Sequence, residues 1–256
     1  MSLDIPISKH ETFNNHTIDT CILRLDFSDL FDISSYVKKL IPLLSNKYPI
    51  RNKEEEISVF FSDLINNKES KHSPVPVDNY IFANIDTTNQ IKINSRFISL
   101  IFTKYKDFED MIADFNMVFD EFTKTYTNIA YTRLGLRKIN ILELEENKGV
   151  LQTFKDYFND YLVHHLVSGP FDSTLSTDQH TMISQDSNNM NLILKHATQN
   201  GVRNDKSYRR FILDIDYYMK ELTNKFIPEQ LSILNQRIFD VFYWSISDKL
   251  KGDLRK

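Results

Sequence analysis

The apolar residues of this chain fall into two kinds of run, and the order of those runs constrains the fold more than any single motif. Ile18, Cys21, Leu23, Leu25 and Phe27 mostly alternate, as a half-buried strand requires. Phe108, Met111, Ile112, Phe115, Val118, Phe119 and Phe122 instead recur at helical spacing. Strands come in groups before and after helices, without the strict alternation of a doubly wound parallel sheet. The expectation is therefore an α+β protein, with a largely antiparallel sheet packed against long helices. Each half, about residues 1–145 and 146–256, holds strands, a polar loop and an aromatic-rich helix. Two similar halves within a single 1–256 domain are expected, although no residue-level repeat of fixed period is visible.

The patterning predicts strands over residues 18–27, 57–61, 80–85, 90–103, 128–144, 190–197 and 208–219, with a weaker one near 180–184. Helices are predicted over 34–45, with Pro42 as a kink or early stop, and over 107–126 behind an Asp107 cap. Two more are expected over 150–166, ended by Ser168-Gly169-Pro170, and over 228–250. Residues 86–89 read as a turn, and 66–78 and 199–207 as polar connections.

Composition excludes several classes. Nineteen Phe and twelve Tyr against one Trp point to a core built from aromatic rings. A net charge of −4 exerts no global pull toward nucleic acid or anionic membrane. Cys21 is the sole cysteine, which removes disulfide frameworks and thiolate clusters, and its apolar strand setting reads as an inert core thiol. The first residues lack the basic start and apolar run of a signal peptide, and no window reaches the length of a membrane span. A soluble, cytoplasmic protein that does not engage a membrane is expected.

Residues 131–142, YTRLGLRKINIL, carry one of only five glycines in the middle of a strand. Strand glycines mark bulges or close approaches. Arg133 and Arg137 share a face with Gly135 between them. They could grip a phosphate or carboxylate, or pair with Asp214 and Asp216 on a neighbouring strand while Gly135 makes room for a side chain. The pairing is the favoured reading. It also accounts for Asp214 and Asp216 better than a metal site, for which no further ligand lies nearby in sequence. Arg203, Lys206, Arg209 and Arg210, with Tyr208 among them, form the densest basic cluster. A phosphate-binding loop and a solvated turn both fit it, and the acidic balance of the chain favours the turn.

Arg133-Leu134-Gly135-Leu136-Arg137, followed by Ile139 and Asn140, resembles the R-x-G-L-R-Y-x-N signature of the sporadically distributed prokaryotic TIGR04255 family. Lys138 stands where an aromatic is common in that signature. The helix from Phe108 and the run Leu213-Asp214-Ile215-Asp216 ahead of a terminal helix are similar to that family as well. The resemblance implies no settled enzymatic activity, and a patchy occurrence like that of mobile or defence-associated genes.

No nucleophile elbow, P-loop or dinucleotide fingerprint occurs. His164 and His165 are adjacent on a helix and point about 100° apart, so they cannot chelate side by side. His180 and His196 could meet across paired strands, but nothing in the sequence fixes a third ligand. No catalytic residue, metal or cofactor is assigned. The sequence reads as a non-catalytic binding protein for a small ligand, a protein partner or a second copy of itself. The alternative is a nucleic-acid- or nucleotide-binding component of a defence or mobile-element system, using Arg133, Arg137 and the basic cluster.

Overall fold

A computed structural model of the chain describes residues 4–57, 76–146, 149–167, 176–186, 189–222 and 227–256. Its centre is the antiparallel pair formed by β1 (Ile18–Phe27) and β6 (Tyr131–Glu145), in which Leu23 faces Leu136 and Arg24 faces Gly135. From β1 the sheet extends outward through β5 (Phe97–Phe102), β4 (Asn89–Ile93), β3 (Pro76–Ala83) and β2 (Ile50–Ile57). From β6 it extends through β9 (Lys206–Leu222), β8 (Met190–Arg203) and β7 (Thr177–Gln185). The nine described strands form one sheet, and every neighbouring pair is antiparallel.

The described helices cover one face of this sheet. They are α1 (Ser34–Leu44), α2 (Phe108–Thr125), α3 (Val150–Tyr157), α4 (Asp160–Val167), α5 (Ile227–Ser245) and α6 (Asp248–Arg255). Strand residues of one parity, such as Cys21, Leu23, Leu25, Leu134, Leu136 and Leu213, point under them and are at most 1% exposed. The core is aromatic, as the composition suggests. Phe122 of α2 meets Phe27 and Tyr36 with ring centres 4.7 and 5.3 Å apart, and Phe158 stacks on Phe211 at 3.9 Å. Rings of this size bury enough apolar surface to contribute about 2–3 kcal/mol each.

Polar ties fix the helices on the sheet. Asp107 caps α2 by accepting from the Asp110 N–H at 2.7 Å, which stabilises the helix by about 1 kcal/mol. Asp114 of α2 is buried, accepts from the Tyr48 hydroxyl and pairs with Lys47 at 2.8 Å. Asp186 accepts from the Tyr217 hydroxyl at 2.7 Å and from Arg237 of α5 at 2.9 Å. No described helix is long and apolar enough to cross a membrane.

Several boundaries differ from the sequence expectation. The run 90–103 is two strands, because the Asn94 side chain accepts from the Arg96 and Phe97 amides and turns the chain between β4 and β5. The run 150–166 is two helices, because Phe158 leaves the helix to bridge Ile246. That bridge also divides 228–250 into α5 and α6, whose new start is capped by Ser247. Pro42 does not end α1, which reaches Leu44; the Ser45 hydroxyl donates to the Pro42 carbonyl. The first outer strand is Ile50–Ile57, and most of the predicted strand 57–61 lies outside the described residues, as do 66–75 and 168–170. The predicted polar connection 199–207 is mostly strand, since β8 and β9 join through the two-residue turn Asn204-Asp205. Both turn residues have positive φ, 50° and 60°, which suits a tight hairpin to the twist of its strands.

Gly135 has a specific task in the central pair. A β-carbon there would lie 2.8 Å from both terminal nitrogens of Arg133, so the missing side chain is the space into which that guanidinium folds. Gly135→Ala is expected to lower unfolding free energy by about 1 kcal/mol by displacing Arg133 from its carboxylate partners. In an Arg133→Ala background the same change should be neutral or stabilising, since alanine suits a strand better than glycine. Urea denaturation of the four proteins measures the coupling, and a coupling of zero would refute this role for the glycine.

Candidate functional site

The face of the sheet opposite the helices carries Arg133, Gly135, Arg137, Asp214 and Asp216, five of the residues that the sequence singles out. Alternation along β6 sends Arg133, Gly135 and Arg137 to this face, and β9 sends Asp214 and Asp216 beside them. Arg137 donates from Nε to Oδ1 and from Nη2 to Oδ2 of Asp214, both at 2.7 Å, a two-bond fork. Arg133 donates to both oxygens of Asp216 at 3.1 and 3.2 Å, and its other nitrogen lies 3.7 Å from Asp26. Asp26 accepts from Arg24 at 2.8 Å, and Arg24 in turn lies over the Phe97 ring at 4.0 Å. Burial raises the Asp216 carboxyl above the usual range, and the charges of Arg133 and Arg137 oppose that rise.

These side chains line an open basin of about 550 Å³. Its arginines are engaged by carboxylates of their own sheet, so the basin is charged but internally compensated. Asn140 does not belong to it. One step out of phase with the arginines, it faces the helices, where its Oδ1 accepts from the Thr17 hydroxyl at 3.1 Å.

The basic cluster lies on the β8–β9 hairpin, opposite the acidic end of β6. Arg203 and Arg210 both donate to Glu143, at 3.1 and 2.9 Å. Lys206 lies 3.5 Å from Glu145, and Arg209 donates to Glu146 at 3.0 Å. Arg209 is buried whereas Arg210 is partly exposed, so the four charges do not form one surface. Tyr208 covers Gly201, where a β-carbon would lie 2.4 Å from its ring, and is flanked by the guanidinium groups of Arg203 and Arg210. Each cation of the cluster thus has a carboxylate partner at or just beyond the end of β6.

Lys138 is the exception among the motif residues. It has the parity of Leu134 and Leu136, points under the helices and is only 8% exposed. Its ammonium donates to Asn235 Oδ1 of α5 at 2.8 Å and lies 5.0 Å from the centre of the Tyr105 ring. Among the described residues it forms no ion pair, and burial pushes its pKa below the usual lysine range. It also helps to depress the pKa of His10, after burial itself. Lys138 borders a cavity of about 170 Å³ between β6, α5, the start of α2 and residues 10–18. Phe13, Phe108, Phe239 and Phe242 give that cavity apolar walls, Asn140 and Asn235 add polar points, and Glu11, Asp107 and Glu109 add carboxylates.

The cavity's N-terminal wall is tied down at several points. The Ser8 amide donates to Asp240 at 2.8 Å, the Asn15 amide to the Leu254 carbonyl at 3.0 Å, and Arg255 to Glu11 at 2.7 Å. Lys138 is not among the candidate site residues that the sequence singles out. The available signal was a lysine at an inward position of the alternating series Leu134, Leu136, Lys138, Asn140. Cys21, read as a core thiol, is fully buried, and burial pushes its pKa up to about 11.

No family model, curated protein or solved structure matches this chain.

Because the hairpin cations are paired with glutamates, the double substitution Arg209→Ala/Arg210→Ala is expected to leave nucleic-acid binding unchanged at nil. Neither protein should shift a labelled oligonucleotide at low salt. A complex that weakens with salt and needs these two arginines would restore the phosphate reading, with a salt slope reduced by about two units in the variant.

Proposed function

We propose that this is a non-catalytic cytoplasmic binding protein that takes a small anionic molecule with an apolar body into the cavity beside Lys138. The observation that carries this reading is a buried amine that borders a cavity and forms no ion pair among the described residues, although Glu11, Asp107 and Glu109 stand in the same cavity wall. A buried charge is costly unless paired, and acidic side chains pair Arg137, Arg209 and Arg237 elsewhere in this protein. A ligand carboxylate would complete the pair, with the Asn235 and Asn140 amides as further partners and the aromatic walls enclosing the rest. The volume is close to that of a cavity of ~150 Å³ known to accept benzene, which suits a compact ligand.

The resemblance to the TIGR04255 signature supports a binding role without settled chemistry, and it makes the amine a departure from the aromatic common at that position. On this reading the protein's ligand is set by Lys138. The order of elements also fits two similar halves. From β1 the chain passes through α1 to strands that return beside β1 and end in α2. From β6 it passes through α3 and α4 to strands that return beside β6 and end in α5. A second reading, a protein partner laid over the open face, is favoured by the absence of any described helix there.

Calorimetric titration with small aryl and alkyl carboxylates, each matched with its neutral amide, tests the proposal. Carboxylates should bind about tenfold or more tightly than amides, a difference of ~1.4 kcal/mol. Lys138→Met should abolish the preference while keeping or raising the unfolding midpoint, because a buried unpaired cation gives way to an apolar chain of similar length. Binding should weaken as pH rises through the lowered lysine pKa, since only the ammonium form attracts an anion. No carboxylate binding, or equal binding by Lys138→Met, would overturn the reading.

A further inference from the structure

Three histidines and an aspartate meet at the far end of the sheet from the central pair. Asp178 and His180, two apart on β7, point to the same side of the strand. His196 on β8 is directly opposite His180 in the register, and α4 brings His165 over both. Asp178 Oδ2 lies 2.7 Å from His165 Nε2, and Asp178 Oδ1 lies 3.2 Å from His180 Nε2. The Nε2 atoms of two histidines from different elements therefore converge on one carboxylate. The ligand atoms of His165, Asp178 and His180 all lie within 4.8 Å of one another.

We propose that His165, Asp178 and His180 form a binding site for a divalent transition-metal ion of the zinc class. Two imidazoles and one carboxylate suit such an ion and leave coordination positions open. With bonds near 2.0–2.1 Å, tetrahedral ligand atoms stand about 3.3 Å apart, so small side-chain rotations suffice to enclose the ion.

The surroundings favour ligand geometry. The His180 ring stacks on His196 at 5.0 Å and 10°, and His196 stacks on Phe211 at 6.1 Å and 15°. This column fixes the plane of the His180 imidazole, and His196 is itself buried. His165 and His180 remain exposed, so an ion can arrive from solvent without opening the fold. The sequence concealed the site because its ligands are 13 and 15 positions from His165 by way of Asp178 and His180, outside any short metal-binding spacing.

The test uses the full chain without a histidine tag. Zinc titration by competition with a chromophoric chelator should show one ion bound per chain, and cobalt should give the visible absorption of a site with low coordination number. His165→Ala, His180→Ala and Asp178→Asn should each weaken zinc binding by about tenfold or more, with unfolding midpoints recorded to confirm folding. His164→Ala, a neighbouring histidine outside the cluster, and Lys138→Met, at the separate cavity, should bind zinc like the parent chain. Absence of stoichiometric binding by the parent would overturn the proposal. So would binding indifferent to all three ligand substitutions; the Asp178 contacts would then be a structural ion-pair cluster only.

Discussion

Everything in this protein hangs on the register of β1 against β6. That pair joins the strands on either side into one sheet, and it decides which residues of β6 face the helices. Side chains alternate with a period of two, so a slip of one residue would exchange the faces entirely. Arg133 and Arg137 would enter an aromatic core, and Leu134, Leu136 and Lys138 would face outward. The cost of burying two guanidinium groups away from Asp214 and Asp216 makes such a slip prohibitive. The same alternation separates two chemistries only one residue apart. The open face is a compensated network of arginines and aspartates, and the covered face holds the Lys138 amine beside a cavity.

Charge compensation gives the contrast its meaning. Arg137 has Asp214, Arg133 has Asp216, Arg209 has Glu146 and Arg237 has Asp186. Such pairs hold strands and helices in place but offer little unsatisfied charge to a ligand. Lys138 is held by an amide and a ring face, neither of which neutralises it. A fold that gives these arginines carboxylate partners while burying Lys138 without an ion pair among the described residues places an electrostatic demand at that point in its interior.

Local signals were legible in the sequence, and tertiary ones were not. The Asp107 cap and the stripe from Phe108 to Phe122 specify α2 within a few residues, because cap and stripe depend on neighbours in the chain. The strand IRNKEEEI escapes sequence patterning, because among the described residues β2 pairs on one side only and its charges do not alternate into a core. The division between α3 and α4 depends on Phe158 bridging Ile246, a residue 88 positions away that no local pattern reveals. The Asn204-Asp205 turn was present in the sequence but hidden among polar residues, since that end of the hairpin is largely exposed. At the candidate sites the split is the same: parity placed the arginines together, whereas the cavity beside Lys138 arises from residues at both ends of the chain.

The N-terminal segment that walls this cavity holds on to Asp240, Leu254 and Arg255, residues synthesised more than two hundred positions after it. Those contacts join segments more than two hundred residues apart, so the chamber depends on long-range packing and not on any local element. Any molecule that bound there would bind the folded state and not the unfolded chain, and would raise the stability of the whole fold by mass action.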